Sequence, residues 1–192
     1  MRHGNSLVSG PVSLALGNKY MKNITTLYIF SGLPGVGKTA LSQRLATHFE
    51  AAYLRIDTIE QALRELCNVN VQGEGYRLAY RIAADNLRLG VSVVADSCNP
   101  IKLTREEWEA VAQKAEANHV NIVIVCSNRN EHRQRVELRK PSVAGLKCPE
   151  WHEVDCREYD DWTRSRIVID TSGKTEQQCF DELLFVLSNQ ST

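Results

Sequence analysis

A chain of 192 residues is long enough for one domain with a sizeable core. Its 23 Lys+Arg balance 23 Asp+Glu, and zero net charge argues against a protein that coats nucleic acid non-specifically. No apolar run approaches the roughly 18 residues a membrane span needs.

Met1 to Tyr20 is rich in Gly, Ser and Asn. Its one weakly apolar stretch, Val12 to Leu16, is too short and too interrupted for a signal peptide. Residues 1–22 are therefore expected to be a disordered extension, and residues 23–192 a single domain. None of the six cysteines forms a C-x-x-C pair. Reduced thiols and a cytoplasmic setting are expected.

Thr25 to Phe30 reads as a first strand, apolar on both faces. Gly32-Leu33-Pro34-Gly35-Val36-Gly37-Lys38-Thr39 follows it and runs into Ala40-Leu41-Ser42-Gln43-Arg44-Leu45-Ala46. Strand, glycine-rich turn and helix start are the context of a phosphate-binding loop. The glycines let successive N–H groups point inward at phosphate oxygens, and the helix starting near Gly37 adds its positive end. Lys38 can reach the outer phosphates, and the Thr39 hydroxyl can ligate Mg²⁺. A nucleoside-triphosphate site is the expectation. Leu41, Leu45 and Phe49 give the helix one apolar face.

Ala51 to Ile56 is a second short strand, ending at Asp57. Thr58-x-x-Gln61 has the form of a capping box, so a helix is expected from there, with Ala62, Leu63 and Leu66 inward. Tyr76, Ala79, Tyr80, Ala83, Ala84 and Leu87 recur at helical spacing up to Gly90. Val91 to Ala95 is a third strand, ending at Asp96. Thr104-x-x-Glu107 resembles another capping box, with Leu103 and Trp108 as its staple. Val120 to Cys126 is a fourth strand, and Asn128 to Lys140 a basic helix. Glu150 to Trp162 reads as helical. Arg166 to Asp170 is a fifth strand, and Thr175-x-x-Gln178 caps a last helix that faces inward through Phe180, Leu183, Leu184 and Leu187.

Five short strands alternating with helices predict an α/β domain: a parallel sheet covered by helices on both faces, with its ligand beyond the carboxyl ends of the strands. Asp57 at such an end has the chemistry of a base for a substrate hydroxyl; a helix-start charge is the plainer alternative. Asp96, after an apolar strand, suits either a Mg²⁺-bound water or a substrate hydroxyl. Asn99 suits a substrate hydrogen bond or an ordinary Asn-Pro turn. Arg135 and Arg139 share a helix face, and guanidinium groups stabilise a moving phosphoryl group. Arg139, nearest the following loop, is the first choice. Residues from about 140 to 163 would then form a helical lid that excludes water.

From about Ile24 to Leu187 the chain resembles the small P-loop kinases of the AAA-type zeta toxin/polynucleotide kinase-like family. The resemblance is carried by the glycine-rich loop, Arg55-Ile56-Asp57, Asp96-Ser97-Cys98-Asn99-Pro100, Arg135-Val136-Glu137-Leu138-Arg139 and Arg157-Glu158-Tyr159. It implies a nucleoside-monophosphate-kinase-like core, use of ATP and Mg²⁺, and γ-phosphate transfer to a hydroxyl. By it, Lys38 and residues 32–40 bind nucleotide together with Arg135. Asp57 is the base, Asp96 a substrate or metal contact, and Arg139 a lid arginine. The loop from Thr171 to Lys174 borders the adenine. Polynucleotide kinases of the group carry a basic residue shortly after the strand-two Asp. Here Thr58, Ile59 and Glu60 follow, so a small hydroxyl compound is the expected acceptor. The alternatives are a regulatory ATPase without an acceptor, or a polynucleotide 5′-kinase.

Overall fold

The computed structural model describes residues 25–190, so the expectation for residues 1–22 lies outside them. The elements are β1 (Thr26–Ser31), α1 (Lys38–His48), β2 (Ala52–Arg55), α2 (Ile56–Cys67), α3 (Glu74–Arg88), β3 (Val93–Asp96), α4 (Lys102–Lys114), β4 (Asn118–Val125), α5 (Arg129–Leu138), α6 (Trp151–Asp155), β5 (Ile167–Asp170) and α7 (Glu176–Gln190). The five strands form one parallel sheet in the order β2-β3-β1-β4-β5.

Alternation along β1 divides the core in two. Phe30 points to one face, where Val94, Ile122 and Ile169 meet Leu41 and Leu45 of α1 and Phe180 and Leu183 of α7. Leu27 and Ile29 point to the other, where Val93 and Ala95 meet Ala79, Ala83 and Leu87 of α3 and Trp108 and Ala112 of α4. Both faces of the sheet are dry, which is why these strands read as continuous apolar runs. Register then sets the working edge: Phe30 lies opposite Asp96, and Asp96 opposite Arg55. The phosphate loop, Asp96 and the start of α2 therefore leave the sheet at one level.

Two helix starts differ from the sequence-based expectation. α2 begins at Ile56 directly after β2, so Thr58 is inside its first turn and Asp57 belongs to the helix rather than the strand end. Leu66, expected inward, is 84% exposed. α4 begins at Lys102, whose amide donates to the Asp160 carboxylate at 2.7 Å. That tertiary cap displaces the Thr104 box, and Leu103 stays exposed rather than stapling Trp108. The Thr175 box on α7 does form: the Gln178 amide donates to the Thr175 hydroxyl at 3.2 Å, and the Thr175 amide to the Gln178 side chain at 2.8 Å.

The expected helix from Glu150 to Trp162 is only α6, five residues long. Its continuation is taken up by Arg105, a guanidinium buried to 3% exposure. Arg105 donates to the carbonyls of Asn99 (2.9 Å), Pro100 (3.0 Å), Asp160 (2.8 Å) and Asp161 (3.2 Å). It also lies 4.8 Å from the Tyr159 ring centroid and 4.2 Å from that of Trp162. The carbonyls of Asp160 and Asp161 face this cation and not a helical ladder. Arg164 adds a pair to Glu109 at 2.5 Å. Residues 157–165 are thereby fastened to the β3–α4 connection.

Replacing Arg105 by Met keeps the apolar stem and removes all four hydrogen bonds. The expected loss is about 2 kcal/mol, because hydrogen bonds from charged groups are stronger than neutral ones. That corresponds to a melting point roughly 4–8 °C lower for a chain of this size. Protease cuts should appear first between residues 157 and 165; an unchanged melting point would show that the fastening is slack.

Candidate active site

At the carboxyl edge of the sheet lies a cleft of about 1010 Å³. Its floor is the loop from Gly32 to Thr39. Two glycines there have physical reasons. Gly32 has φ +136°, and a Cβ on it would sit 2.2 Å from the Ile124 carbonyl oxygen. Gly35 has φ +85°, and its Cβ would sit 2.6 Å from Val136 Cγ2. The turn therefore needs both the left-handed backbone and the missing side chain. Among the described residues, the amides of Gly35 to Thr39 donate to no protein acceptor. Converging free amides at a helix start are a concave anion site. Lys38 Nζ bridges the loop by donating to the Leu33 carbonyl at 2.9 Å. The donor set fits a polyphosphate, and the Thr39 hydroxyl in the cleft lining fits a Mg²⁺ ligand. Leu33, Pro34, Val36 and Ala40 shape the same turn, Pro34 and Val36 by being buried.

Two side chains hold that loop from outside. His132 of α5 is buried, and its Nε2–H donates to the Pro34 carbonyl at 2.8 Å. Its ring meets Trp151 of α6 edge-on at 5.2 Å. The buried Thr171 hydroxyl, just after β5, donates to Val36 O (3.0 Å) or Val125 O (3.1 Å). It also accepts from Arg135 at 2.7 Å, while Arg135 pairs with Glu131 at 2.6 Å. The Gly173 amide holds the Glu131 carboxyl below the usual carboxylate range. Arg135 is thus at the β5 end of the cleft, bound into its wall.

Asp57 lines the opposite end. It is flanked by two guanidinium groups, Arg55 Nη2 at 3.4 Å and Arg139 Nη2 at 4.0 Å. Arg139, one residue past α5, reaches across to it with 23% of its side chain exposed. Asp96 lies behind this pair, only 4% exposed. Its carboxylate accepts from the Tyr53 hydroxyl at 2.8 Å and lies 3.9 Å from Arg55 Nε. Burial, then the Asp96 charge, pushes the Tyr53 phenol well above its ordinary range, so it stays a donor. A chain of groups, buried at Asp96 and Arg55, therefore runs Tyr53, Asp96, Arg55, Asp57, Arg139.

Among the residues singled out from sequence, Lys38, Thr39, Asp57, Arg135 and Arg139 come together on the cleft. Asp96 stands one layer behind. Asn99 is fully buried, its amide donating to Phe30 O at 3.1 Å and Ser31 Oγ at 3.0 Å, so it fastens the end of β1 rather than lining the cleft. Tyr53, Arg55 and His132 were not singled out as site residues, and Thr171 was expected only as the start of the loop bordering the adenine. Only Arg55 carried a signal, as a basic residue two before Asp57 on an otherwise apolar strand.

Residues 27–147 match the AAA domain family, and the chain belongs to that family. No curated protein sequence matches it. Among solved structures, a gluconokinase from Sinorhizobium meliloti 1021 is 12% identical with a TM-score of 0.62, over 87% of this chain and 94% of that one. The Mycobacterium tuberculosis APS kinase in complex with AMPPNP and APS is 16% identical with a TM-score of 0.62, over 86% and 98%. Chaetomium thermophilum Kti12 in complex with ADP-AlF3 is 18% identical with a TM-score of 0.61, over 83% and 97%. These likenesses define a P-loop kinase-like fold. No helix among the described residues is long and apolar enough to cross a membrane.

Proposed function

We propose that this protein transfers the γ-phosphate of ATP to a hydroxyl group of a small-molecule acceptor. The observation that carries the reading is the sharing of one cleft by the phosphate loop, Asp57 and Arg139. The free amides of the loop and Lys38 hold the β- and γ-phosphates. Arg135 and the loop from Thr171 bound the nucleoside side. Asp57 accepts the proton of the attacking hydroxyl as the O–Pγ bond forms and the bond from Pγ to the bridging oxygen breaks, releasing ADP. Arg139 faces the charge that spreads over the moving group. Mg²⁺, held through Thr39, neutralises charge on the phosphates when bound. Residues 140–156, which carry α6, are the candidate lid. Residues 157–163, expected as part of it, belong to the fixed wall.

The gluconokinase and APS kinase names support a small acceptor; zero net charge weighs against a polynucleotide. The decisive measurement is ADP release across a set of hydroxyl-bearing metabolites, with Lys38→Ala as the blank. A subset of alcohols should stimulate release at least about tenfold over basal hydrolysis in the native chain only. Slow hydrolysis that no alcohol changes would instead mark a regulatory ATPase.

A further inference from the structure

Charge on the cleft wall is not balanced evenly. Asp57, Glu60, Glu131 and Glu176 line the cleft, and each has a guanidinium within 4.0 Å. Glu153, also in the lining, accepts the Glu150 amide at 2.7 Å. Arg157 lines the same cleft with no carboxylate within 4.0 Å among the described residues; Glu153 feels it only from farther away. Among the described residues, the guanidinium's hydrogen-bond contact is with Cys98 Sγ, 4.0 Å from Nη1. An arginine with its fork unmatched is suited to an anion from solution.

A second observation lies beside it. Ser97 is 5% exposed and lines the cleft, yet its Oγ makes no well-formed hydrogen bond, and the Tyr76 hydroxyl feels it only weakly. A hydroxyl buried in this way carries a desolvation cost that a ligand oxygen would relieve. The Tyr76 phenol beside this loop is raised above its ordinary range, first by burial and then by Cys98, and accepts the Asn99 amide at 3.4 Å.

Topology says which part of a substrate would meet these groups. Ser97 and Cys98 follow β3, which lies between β1 and β2. They are thus on the Asp57 side of the phosphate loop, away from Arg135 and Thr171 beyond β4 and β5. Arg157 is not on a free segment. Two residues later Tyr159 donates its hydroxyl to the Cys98 carbonyl at 3.2 Å, and the Asp160 amide donates to Pro100 O at 2.8 Å. The Arg105 clamp completes the fastening. The backbone that carries the guanidinium is therefore a fixed part of the wall.

We infer that the acceptor alcohol is itself an anion, its carboxylate, sulfate or phosphate group held by Arg157 and hydrogen-bonded by Ser97 Oγ while its hydroxyl faces Asp57. The inference rests on the phosphotransfer reading for the word acceptor, but the anion site can be tested alone. With the phosphate loop saturated by Mg–AMPPNP, inorganic sulfate is titrated at constant ionic strength by calorimetry. Sulfate should bind the native chain, bind Arg157→Gln about tenfold or more weakly, and bind Arg157→Lys in between. Arg157 is exposed and makes one weak contact, so both variants should melt with the native chain. Equal sulfate binding by native chain and Arg157→Gln is an adventitious ion only and overturns the inference, as does no binding by the native chain.

The second arm compares hydroxy acids with their neutral amides in the ADP assay. Only the acids should stimulate. Arg157→Gln should raise the acceptor KM about tenfold while kcat and the KM for ATP change by less than about twofold. Neutral and anionic alcohols serving equally well would overturn the anionic acceptor. Arg157-dependent sulfate binding with no alcohol ever phosphorylated would leave the anion site standing and remove the phosphotransfer reading instead.

Discussion

Asp57→Asn is expected to slow acceptor phosphorylation by about 10²–10⁴-fold, the usual contribution of a positioned base, while the affinity for Mg–ATP changes by less than about twofold. The amide fills the same space but cannot take a proton. Nor should the fold suffer. Arg55 keeps Asp96 at 3.9 Å, and Arg139 is partly solvated. The variant therefore separates chemistry from structure. Fluorescent-nucleotide binding and a melting curve should match the native chain, while acceptor-dependent ADP release collapses. Equal turnover in the two proteins would remove Asp57 from the mechanism and leave it as a charge complementing the start of α2.

Gly32→Ala should be the most damaging single-methyl change in the loop. The new Cβ would overlap the Ile124 carbonyl, a backbone atom that cannot step aside without disturbing the β1–β4 ladder. The φ of +136° is also one that alanine avoids. Strain and overpacking together should cost about 3–5 kcal/mol, a melting point roughly 6–20 °C lower. Nucleotide binding should fall with it, since the Gly32 amide ties the loop to Cys98 O at 3.1 Å. Gly173→Ala is the comparison. Its φ of +65° is left-handed too, but nothing lies within 4 Å of the added carbon. The left-handed backbone alone should then cost about 1–2 kcal/mol. Equal losses in the two variants would refute the steric account.

The sheet and the phosphate loop were legible because their signals are local. Strands apolar on both faces announce a covered parallel sheet, and the glycine spacing around Lys38 leaves few other conformations. Asp57 and Arg139 were legible as chemistry, since each lies next to an element boundary at the edge where ligands bind. What escaped was long-range. The cap of α4 comes from Asp160, 58 residues away, so no window around Thr104 contains it. The fate of residues 157–165 was decided by Arg105, which reads locally as one more charge on a helix surface. His132 hides in the same way, as a polar residue whose partner is a backbone carbonyl of a distant turn, and so does the hold that Thr171, expected at the adenine loop, has on that turn. Asn99 misled in the opposite direction: an amide beside a catalytic-looking aspartate turned inward to finish a strand.

The joint made by Arg105 has a further property. A guanidinium does not lose its proton in ordinary buffers, and main-chain oxygens have none to gain. Acidification that neutralises the cleft carboxylates would leave this attachment untouched, and its burial shields it from added electrolyte. The shelf that carries Arg157 should thus keep its shape in conditions where the rest of the cleft has lost its charge pattern.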